Sequence, residues 1–398
     1  MVTGVHDGRL LTRDFVLVTL ATGFFMLSFG ATLPILPRYV SNELGGSDLA
    51  VGIVVGSYAV SAIALRPLVG RLGDSHGRRL LIVGGAAITA LGMAAHIPAD
   101  SVALLIAARL IIGAGQGAVF VGAATLVNDL APPDRRGEAT SWFSIAIYVG
   151  LGLGPFIGET LLARASFDAV WVAVTGGMVA ASLVGLALPR GLPVTVDDGF
   201  EPQIRTGLAR LLHPTGVGPG VIVFLGVMGF IGFNTFVPLY GEELGMNDVA
   251  GVFLLFSAVV LVVRLGGRKL PDASGPNEVR SVALAASSIG LLGVASWRTT
   301  VGLYAFTIVL AVGSALLYPA LMAAAVNAAH ERERSAVVAT FTLFFEFASV
   351  AGGGVLGIVA SQTSYAGAFV AAACFSLTGL VMLHVYLRPK LAVGSVHV

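Results

Sequence analysis

Twelve runs of predominantly apolar residues, each of about 20 residues, occupy most of this chain. A helix of that length crosses the hydrocarbon core of a bilayer, which is roughly 30 Å thick. Lipid offers no hydrogen-bond partner to an unpaired backbone group, so we expect every run to be a helix. The runs lie near residues 15–40, 49–70, 80–98, 102–128, 138–163, 168–188, 216–240, 248–267, 279–296, 300–327, 335–361 and 366–387.

The composition excludes an ordinary soluble domain. The 398 residues are 56% hydrophobic and 11% charged, whereas about a quarter of a soluble domain is charged. The net charge of +1 gives no indication of nucleic-acid binding. Because Cys374 is the only cysteine, an intrachain disulfide and a cysteine metal site are excluded. We expect an integral membrane protein without a cofactor.

The longest polar interruption falls between the sixth and seventh runs and divides the chain into equal halves. We predict a six-helix bundle at 1–188, a cytoplasmic linker at 189–214 with a short surface helix at 205–212, and a second six-helix bundle at 215–398. The halves repeat each other at an offset of about 200 residues. Glu43 and Asp48, for example, return as Glu243 and Asp248.

Basic residues indicate the orientation. Placing both termini inside puts most of the 23 Arg and Lys residues in cytoplasmic segments and leaves Arg38, Arg164 and Arg298 outside. This asymmetry follows the positive-inside rule. We therefore expect a multi-pass protein of a prokaryotic cytoplasmic (inner) membrane, with both termini in the cytoplasm.

A short polar segment, residues 70–79, joins the second and third runs, and we expect it to form the hairpin between two spans. Its glycines allow close approach and a tight turn, Asp74 supplies an anion, and its arginines hold the segment on the cytoplasmic side. The segment resembles the motif G-x-L-a-D-x-x-G-R-[KR] of the major facilitator superfamily. The matching residues are Gly70, Leu72, Asp74, Gly77, Arg78 and Arg79.

The resemblance implies an all-α integral membrane protein with the major facilitator fold. That fold has twelve transmembrane helices in two pseudo-symmetric six-helix bundles, which alternate a central cavity between the two sides of the membrane. In the family, the aspartate of this motif latches the halves together when the cytoplasmic side is closed, which gives that role to Asp74 with Arg78 as a local partner. The alternative is a solvated acid that only shapes topology.

The fourth run contains Arg109. Its surroundings resemble the family motif R-x-x-Q-G-x-G, although Ile112 stands in place of the glutamine and Gln116 lies one turn further on. An arginine inside a span costs about 2.5–3.5 kcal/mol on insertion scales and is seldom kept without a use. The resemblance gives Arg109 a part in proton coupling. The alternative is a structural ion pair between the fourth and fifth spans.

The fifth run resembles the motif G-x-x-x-G-P-x-x-G-G of family members that work as antiporters, with Glu159 replacing the last glycine. The matching residues are Gly150, Gly154, Pro155 and Gly158. A kinked, closely packed helix without meaning for transport direction is the alternative. Arg109 and Glu159 both lie about two turns from the outer surface. We therefore hypothesise that Glu159 is a protonation site held by Arg109.

Glu346 lies at the centre of the eleventh run, among phenylalanines. It could bind a cationic substrate or carry the proton, and the alternative is a protonated glutamate in one interhelical hydrogen bond. Weaker candidates for an aromatic, largely apolar substrate cavity are Asn234, Tyr148, Phe25, Phe233 and Tyr318.

Together these features predict a monomeric, proton-coupled antiporter that exports small lipophilic compounds, including cations. This resembles the drug:proton antiporter branch of the superfamily, whose members perform multidrug efflux by alternating access. The alternative is a transporter of a specific metabolite, such as a sugar or siderophore, in either direction. A transporter-like sensor is less favoured because the linker is too short for an added domain. We expect no enzyme, since the spans contain no nucleophile with a base and no metal cluster.

Overall fold

The computed structural model describes residues 10–132, 135–189, 212–266, 276–329 and 333–387. Over these ranges the chain is helical and forms no strand. The helices are α1 (Arg13–Arg38), α2 (Asp48–His76), α3 (Arg78–Ala94), α4 (Val102–Leu130), α5 (Arg136–Arg164), α6 (Phe167–Leu186), α7 (Pro214–Glu243), α8 (Ala250–Gly266), α9 (Pro276–Ser296), α10 (Thr300–Asn327), α11 (Arg334–Gln362) and α12 (Tyr365–Met382). Turns of π-helix, Tyr39–Glu43 and Leu383–Leu387, continue α1 and α12.

Each of the twelve apolar runs corresponds to one of these helices, which confirms the predicted all-helical class. Ten helices in the described part of the chain are long and apolar enough to cross a membrane. The other two, α3 and α8, have 17 residues each, which is at the lower end of the range for a span. The predicted surface helix at 205–212 falls almost entirely outside the described residues.

The polar segment between the second and third runs differs from the expected hairpin. Helix α2 continues to His76, so residues 70–76 are helical and Gly77 alone connects α2 to α3. Gly77 has a φ of +86°, which side chains with a Cβ rarely adopt. The polar residues lengthen α2 because a helix that leaves the membrane can expose such side chains to water without losing its backbone bonds.

Contacts between residues divide the chain into two compact units. Unit 1 contains α1 up to Ile35, α2 from Ser57 onward, and α3 to α6. In this unit α3 packs against α4 and α6. Unit 2 contains residues 36–56 together with α7 to α12. In this unit α7 packs against α11 and α12, and α9 packs against α10 and α12.

The repeat is visible in how each unit is built. Ser101 and Thr299 cap the N-termini of α4 and α10, and Ser166 and Ser364 cap those of α6 and α12. Each of these pairs is separated by 198 residues. Helix contacts repeat at the same offset, because Gly115 meets α3 at Thr89 while Gly313 meets α9 at Ser287. The offset of about 200 predicted from sequence is thus matched in the packing.

Helices α2 and α4 of unit 1 approach each other closely along the fourth span. Ser61 Oγ donates a hydrogen bond of 2.6 Å to the carbonyl of Leu110. A Cβ at Gly113 would overlap the carbonyl oxygen of Tyr58, whereas a Cβ at Gly117 would lie 3.8 Å from Ala62. The backbones can meet at this distance only because position 113 has no side chain.

We expect Gly113→Ala to destabilise the protein by about 1–3 kcal/mol, because the added methyl group must push α2 away. The matched control is Gly117→Ala on the same helix, which should leave stability nearly unchanged because its methyl group meets only ordinary contacts. The thermal unfolding midpoint of the purified protein in detergent measures both changes. Equal midpoints for the two variants would contradict the close approach.

Candidate functional site

Arg109 lies inside unit 1 with 2% of its surface exposed. Its guanidinium carbon is 4.7 Å from the centroid of the Tyr58 ring on α2 and 5.8 Å from that of the Phe29 ring on α1. The two rings meet edge to face at 5.5 Å. Attraction between a cation and an aromatic face strengthens when water is excluded, so these rings stabilise the charge of Arg109.

Glu159 is fully buried on α5. The residue before it, Gly158, lies against the backbone of Ala31 on α1. Arg109 meets α1 at Phe29, which is only two residues, or about 3 Å, away along that helix. The part of α4 that carries Arg109 and the part of α5 that carries Glu159 therefore contact α1 at nearly the same height along that helix. An ion pair between their side chains stays a prediction.

The glycines of the fifth span form the contact between α5 and α1. A Cβ at Gly154 would lie 2.5 Å from the carbonyl oxygen of Leu27 and 2.7 Å from the nitrogen of Ala31. Gly150 faces Met26 and Leu27 in the same way, and Pro155 lies inside α5. The motif thus permits backbone contact between two helices of unit 1, which places Glu159 against α1.

The cytoplasmic end of unit 1 contains the predicted gating residues. Asp74 lies on α2, but its side chain is outside the described part of the structure. Arg78 Nε is 3.6 Å from Oδ2 of Asp129, which lies in the last turn of α4. Arg79 Nη2 donates a hydrogen bond of 2.6 Å to the carbonyl of Leu186. Sequence reasoning missed Asp129, although an acid at the cytoplasmic end of a span beside a basic segment was the available signal.

A further carboxylate near this end lies before the membrane-spanning part of α5, which begins at Trp142. Glu138, in the first turn of α5, accepts hydrogen bonds of 2.9 Å and 3.0 Å from Arg135. These hydrogen bonds lower the pKa of Glu138, although its side chain is exposed. Glu138 is therefore ionised at neutral pH, and it shares its helix with Glu159.

Glu346 is half-buried on α11 of unit 2. Aromatic rings surround this part of the helix, and Tyr318 of α10 meets Phe341 edge to face at 5.3 Å and Phe345 at 5.7 Å. The predicted substrate-site residues Tyr318 and Glu346 therefore occur in one unit. Partly exposed aromatic faces near a carboxylate are a suitable environment for an organic cation.

The remaining predicted cavity residues differ in exposure. Phe25 and Phe233 are fully buried, and Phe233 stacks on Phe256 at 5.7 Å inside unit 2. Asn234 is 9% exposed and donates to the carbonyl of Phe230 on its own helix. Tyr148 is half-buried. Of these four residues, Tyr148 is thus the most accessible in the structure.

A polar cluster at one end of unit 2, missed from sequence, joins residues 36–56 to α7 and α12. Arg38 Nε lies 3.0 Å from Glu242 Oε1, to which Asn42 also donates at 3.3 Å. The Tyr365 hydroxyl donates 2.9 Å to Asp48 Oδ1. These partners are up to 317 residues apart in sequence. Such contacts cannot be found from local spacing.

Comparison with known proteins decides the family. Residues 18–302 and 272–396 match the Major Facilitator Superfamily. The chain belongs to this superfamily. It is 27% identical over 372 residues to an uncharacterized MFS-type transporter of Salmonella typhimurium, covering 91% of this chain and 93% of that one. It is 29% identical over 397 residues to another uncharacterized MFS-type transporter, from Burkholderia mallei, covering 96% and 95%. This member of the superfamily is therefore a multi-pass membrane transporter rather than an enzyme.

Solved structures of superfamily transporters share the fold. A bacterial homolog of the human lysosomal transporter Spinster has a TM-score of 0.78 at 14% identity, over 94% of this chain and 96% of that one. The nucleoside transporter NupG has a TM-score of 0.73 at 13% identity, over 94% of this chain and 98% of that one. A human organic anion transporter has a TM-score of 0.71 at 20% identity, over 93% of this chain and 99% of that one. At these identities the likeness shows the fold alone.

We expect the Tyr58 ring to stabilise this transporter through Arg109. Tyr58→Leu removes the aromatic face and should cost about 1–2 kcal/mol more stability than Tyr58→Phe, which keeps the face. Thermal unfolding midpoints in detergent measure the difference. Phe24→Leu is the control, because Phe24 is an aromatic residue of α1 that is 41% exposed. If Tyr58→Leu and Tyr58→Phe unfold at the same temperature, the ring does not stabilise the cation.

Proposed function

We propose that this transporter is a proton-coupled antiporter that exports small lipophilic compounds, including organic cations. The observation that carries the proposal is the burial of Arg109 and Glu159 at one level of α1 in unit 1. Charged groups inside a span are costly and rarely kept without a use. A carboxylate beside a cation is also a group whose proton occupancy depends on its surroundings.

Proton uptake by Glu159 would change the charge next to Arg109. When Glu159 is ionised, its negative charge offsets the buried guanidinium. When Glu159 is protonated, the charge of Arg109 is no longer offset, and a conformation that gives Arg109 other partners becomes favoured. Each tenfold shift between conformations requires about 1.4 kcal/mol, and loss of one close, desolvated charge partner supplies at least that much.

Glu346 suits the substrate side of the exchange. It is half-buried in unit 2, near Tyr318 and Phe345. A carboxylate together with aromatic faces attracts a lipophilic cation, and the scarcity of other polar candidates disfavours a highly hydroxylated substrate. Exchange of a proton at one carboxylate for cargo at the other would make export use the proton gradient, with no cofactor.

We further propose that the transporter works as a monomer in the prokaryotic inner membrane with both termini in the cytoplasm. The distribution of basic residues supports this orientation, and bacterial relatives support the setting.

Transport of a specific metabolite is the second candidate. Two solved structures with the same fold are described as a nucleoside transporter and an organic anion transporter. A half-buried Glu346 could also accept a hydrogen bond from a neutral polar substrate. The direction of transport and the charge of the cargo separate the two candidates.

We expect Glu159→Gln to abolish coupling, with substrate-induced proton movement reduced at least tenfold, because the amide cannot take up a proton. The assay uses proteoliposomes with an imposed pH gradient and an internal pH-sensitive dye. Its panel contains a lipophilic cation, a neutral lipophilic compound, an organic anion, a nucleoside and a sugar. Glu346→Gln should weaken transport of the cation more than that of neutral compounds.

The control is Glu138→Gln, which changes an exposed carboxylate on the same helix as Glu159. This variant should show the same substrate-induced proton movement as the unmodified protein. Full coupling in Glu159→Gln would remove that residue from the mechanism. If only the nucleoside, sugar or organic anion moves, with no effect on protons, the second candidate is correct.

Asp74→Asn should reduce transport at least tenfold while leaving membrane insertion intact, because the latch at the cytoplasmic end requires the negative charge. His76→Gln at the end of the same helix is the control and should transport normally. Transport rates in proteoliposomes, normalised to inserted protein, measure both variants. Unchanged transport in Asp74→Asn would refute the latch.

A further inference from the structure

Arg280 is a nearly buried arginine that neither the predicted coupling site nor the predicted gate includes. It lies in α9 with 5% of its surface exposed. Its Nε donates a hydrogen bond of 3.0 Å to the carbonyl of Ala320 on α10. Its Nη1 donates a hydrogen bond of 2.7 Å to Asn277 Oδ1 on α9. Both acceptors are neutral, so they hold the guanidinium in place without offsetting its charge.

Two other largely buried arginines have an acidic partner, whereas Arg109 faces aromatic rings. Arg38 lies 3.0 Å from Glu242, and Arg78 lies 3.6 Å from Asp129. Over the part of the chain that the structure describes, no carboxylate forms an ion pair with Arg280. An uncompensated charge at such a place is costly, and an anion from outside the protein would offset it.

The internal repeat shows that helix packing does not require a cation at this place. At the offset of 198 residues, Arg280 and Ala320 correspond to Ile82 and Gly122. In unit 1 the side chain of Ile82 is 1% exposed and lies 3.2 Å from the Cβ position of Gly122. The same contact between two helices is thus made by an apolar residue in one unit and by an arginine in the other.

The position of Arg280 suits an anion at the membrane surface. It is the fifth residue of α9, about 6 Å from the start of that helix. In the proposed orientation α9 starts on the cytoplasmic side. Val282 and Ile289 on the same helix are more than half exposed, as expected of a helix face that meets lipid. The cytoplasmic leaflet carries anionic lipids, and basic pockets between helices on this side bind their head groups.

We propose that Arg280, with Asn277, binds the phosphate group of an anionic phospholipid between the cytoplasmic ends of α9 and α10. Nε and Nη1 are occupied by Ala320 and Asn277, so Nη2 donates to a phosphate oxygen in a charge-assisted hydrogen bond. The Asn277 amide accepts from Arg280 through its oxygen, which leaves its Nδ2 group as a second donor. The site rests on the proposed orientation of the chain and does not depend on proton coupling.

The test measures lipid binding to the purified, delipidated full-length protein. Thermal unfolding midpoints are recorded while phosphatidylglycerol, phosphatidylcholine or inorganic phosphate is added, and bound lipids are counted by native mass spectrometry. The variants are Arg280→Ile, which installs the residue of the other unit, and Arg280→Gln. The control is Arg298→Gln, because Arg298 also donates to a backbone carbonyl, that of Ala295, but lies in the connection that follows the opposite end of α9.

We expect phosphatidylglycerol to stabilise the unmodified protein and Arg298→Gln more than phosphatidylcholine does. Both Arg280 variants should bind phosphatidylglycerol at least tenfold more weakly and lose one tightly held lipid. Equal stabilisation of the Arg280 variants and the unmodified protein would overturn the site. If inorganic phosphate alone gives the full Arg280-dependent shift, the assignment to a lipid is wrong and the ligand is a free anion. If Arg280→Ile does not fold, Arg280→Gln decides the same question.

Discussion

The exclusion of water from the bilayer core is the constraint on which the rest of this structure depends. Each backbone polar group in the spans must be paired within the protein, and a continuous run of about 20 apolar residues achieves this as a helix. Lipid tails are as apolar as leucine, which leaves close packing as the main attraction between these helices. Glycines at the contacts of α5 with α1 and of α4 with α2 let the backbones approach closely. The glycines of α5 also place Glu159 against α1, close to the height at which Arg109 contacts that helix.

The same solvent makes every buried charge costly, and three arginines of this chain meet that cost in different ways. Arg38 lies beside the carboxylate of Glu242, Arg109 faces the rings of Tyr58 and Phe29, and Arg280 donates to neutral acceptors. A carboxylate offsets a charge fully, an aromatic face offsets it in part, and an amide oxygen only satisfies its hydrogen bonds. Among these three, Arg280 is the one whose described acceptors are all neutral, and it is the one for which we propose an external anion.

Sequence patterns predicted the features of this structure that depend on local properties. Apolar length located the twelve helices, and the spacing of similar residues located the repeat. The same patterns placed a hairpin at residues 70–79, where α2 instead continues to His76, because polarity marks the edge of the membrane and not the end of a helix. Asp129 was missed because its contact with Arg78 requires knowledge of how α3 packs on α4. Helical rise converts sequence position into depth and predicts a common depth for Arg109 and Glu159; the contacts of Arg109 and Gly158 with neighbouring residues of α1 support that prediction.

The two copies of one aspartate show how far a repeat can guide interpretation. Asp48 and Asp248 are equivalent in the repeat: Asp48 is the first residue of α2, and Asp248 lies two residues before α8. However, Asp248 accepts a hydrogen bond from the Ala250 nitrogen of its own chain segment, whereas Asp48 accepts one from Tyr365 on α12. Capping needs only local sequence, so both positions could perform it. The bond to Tyr365 exists because residues 36–56 pack within unit 2. The repeat therefore predicts how each pair of helices is built. The contacts of each aspartate, and hence its role, depend on the helices that pack around it.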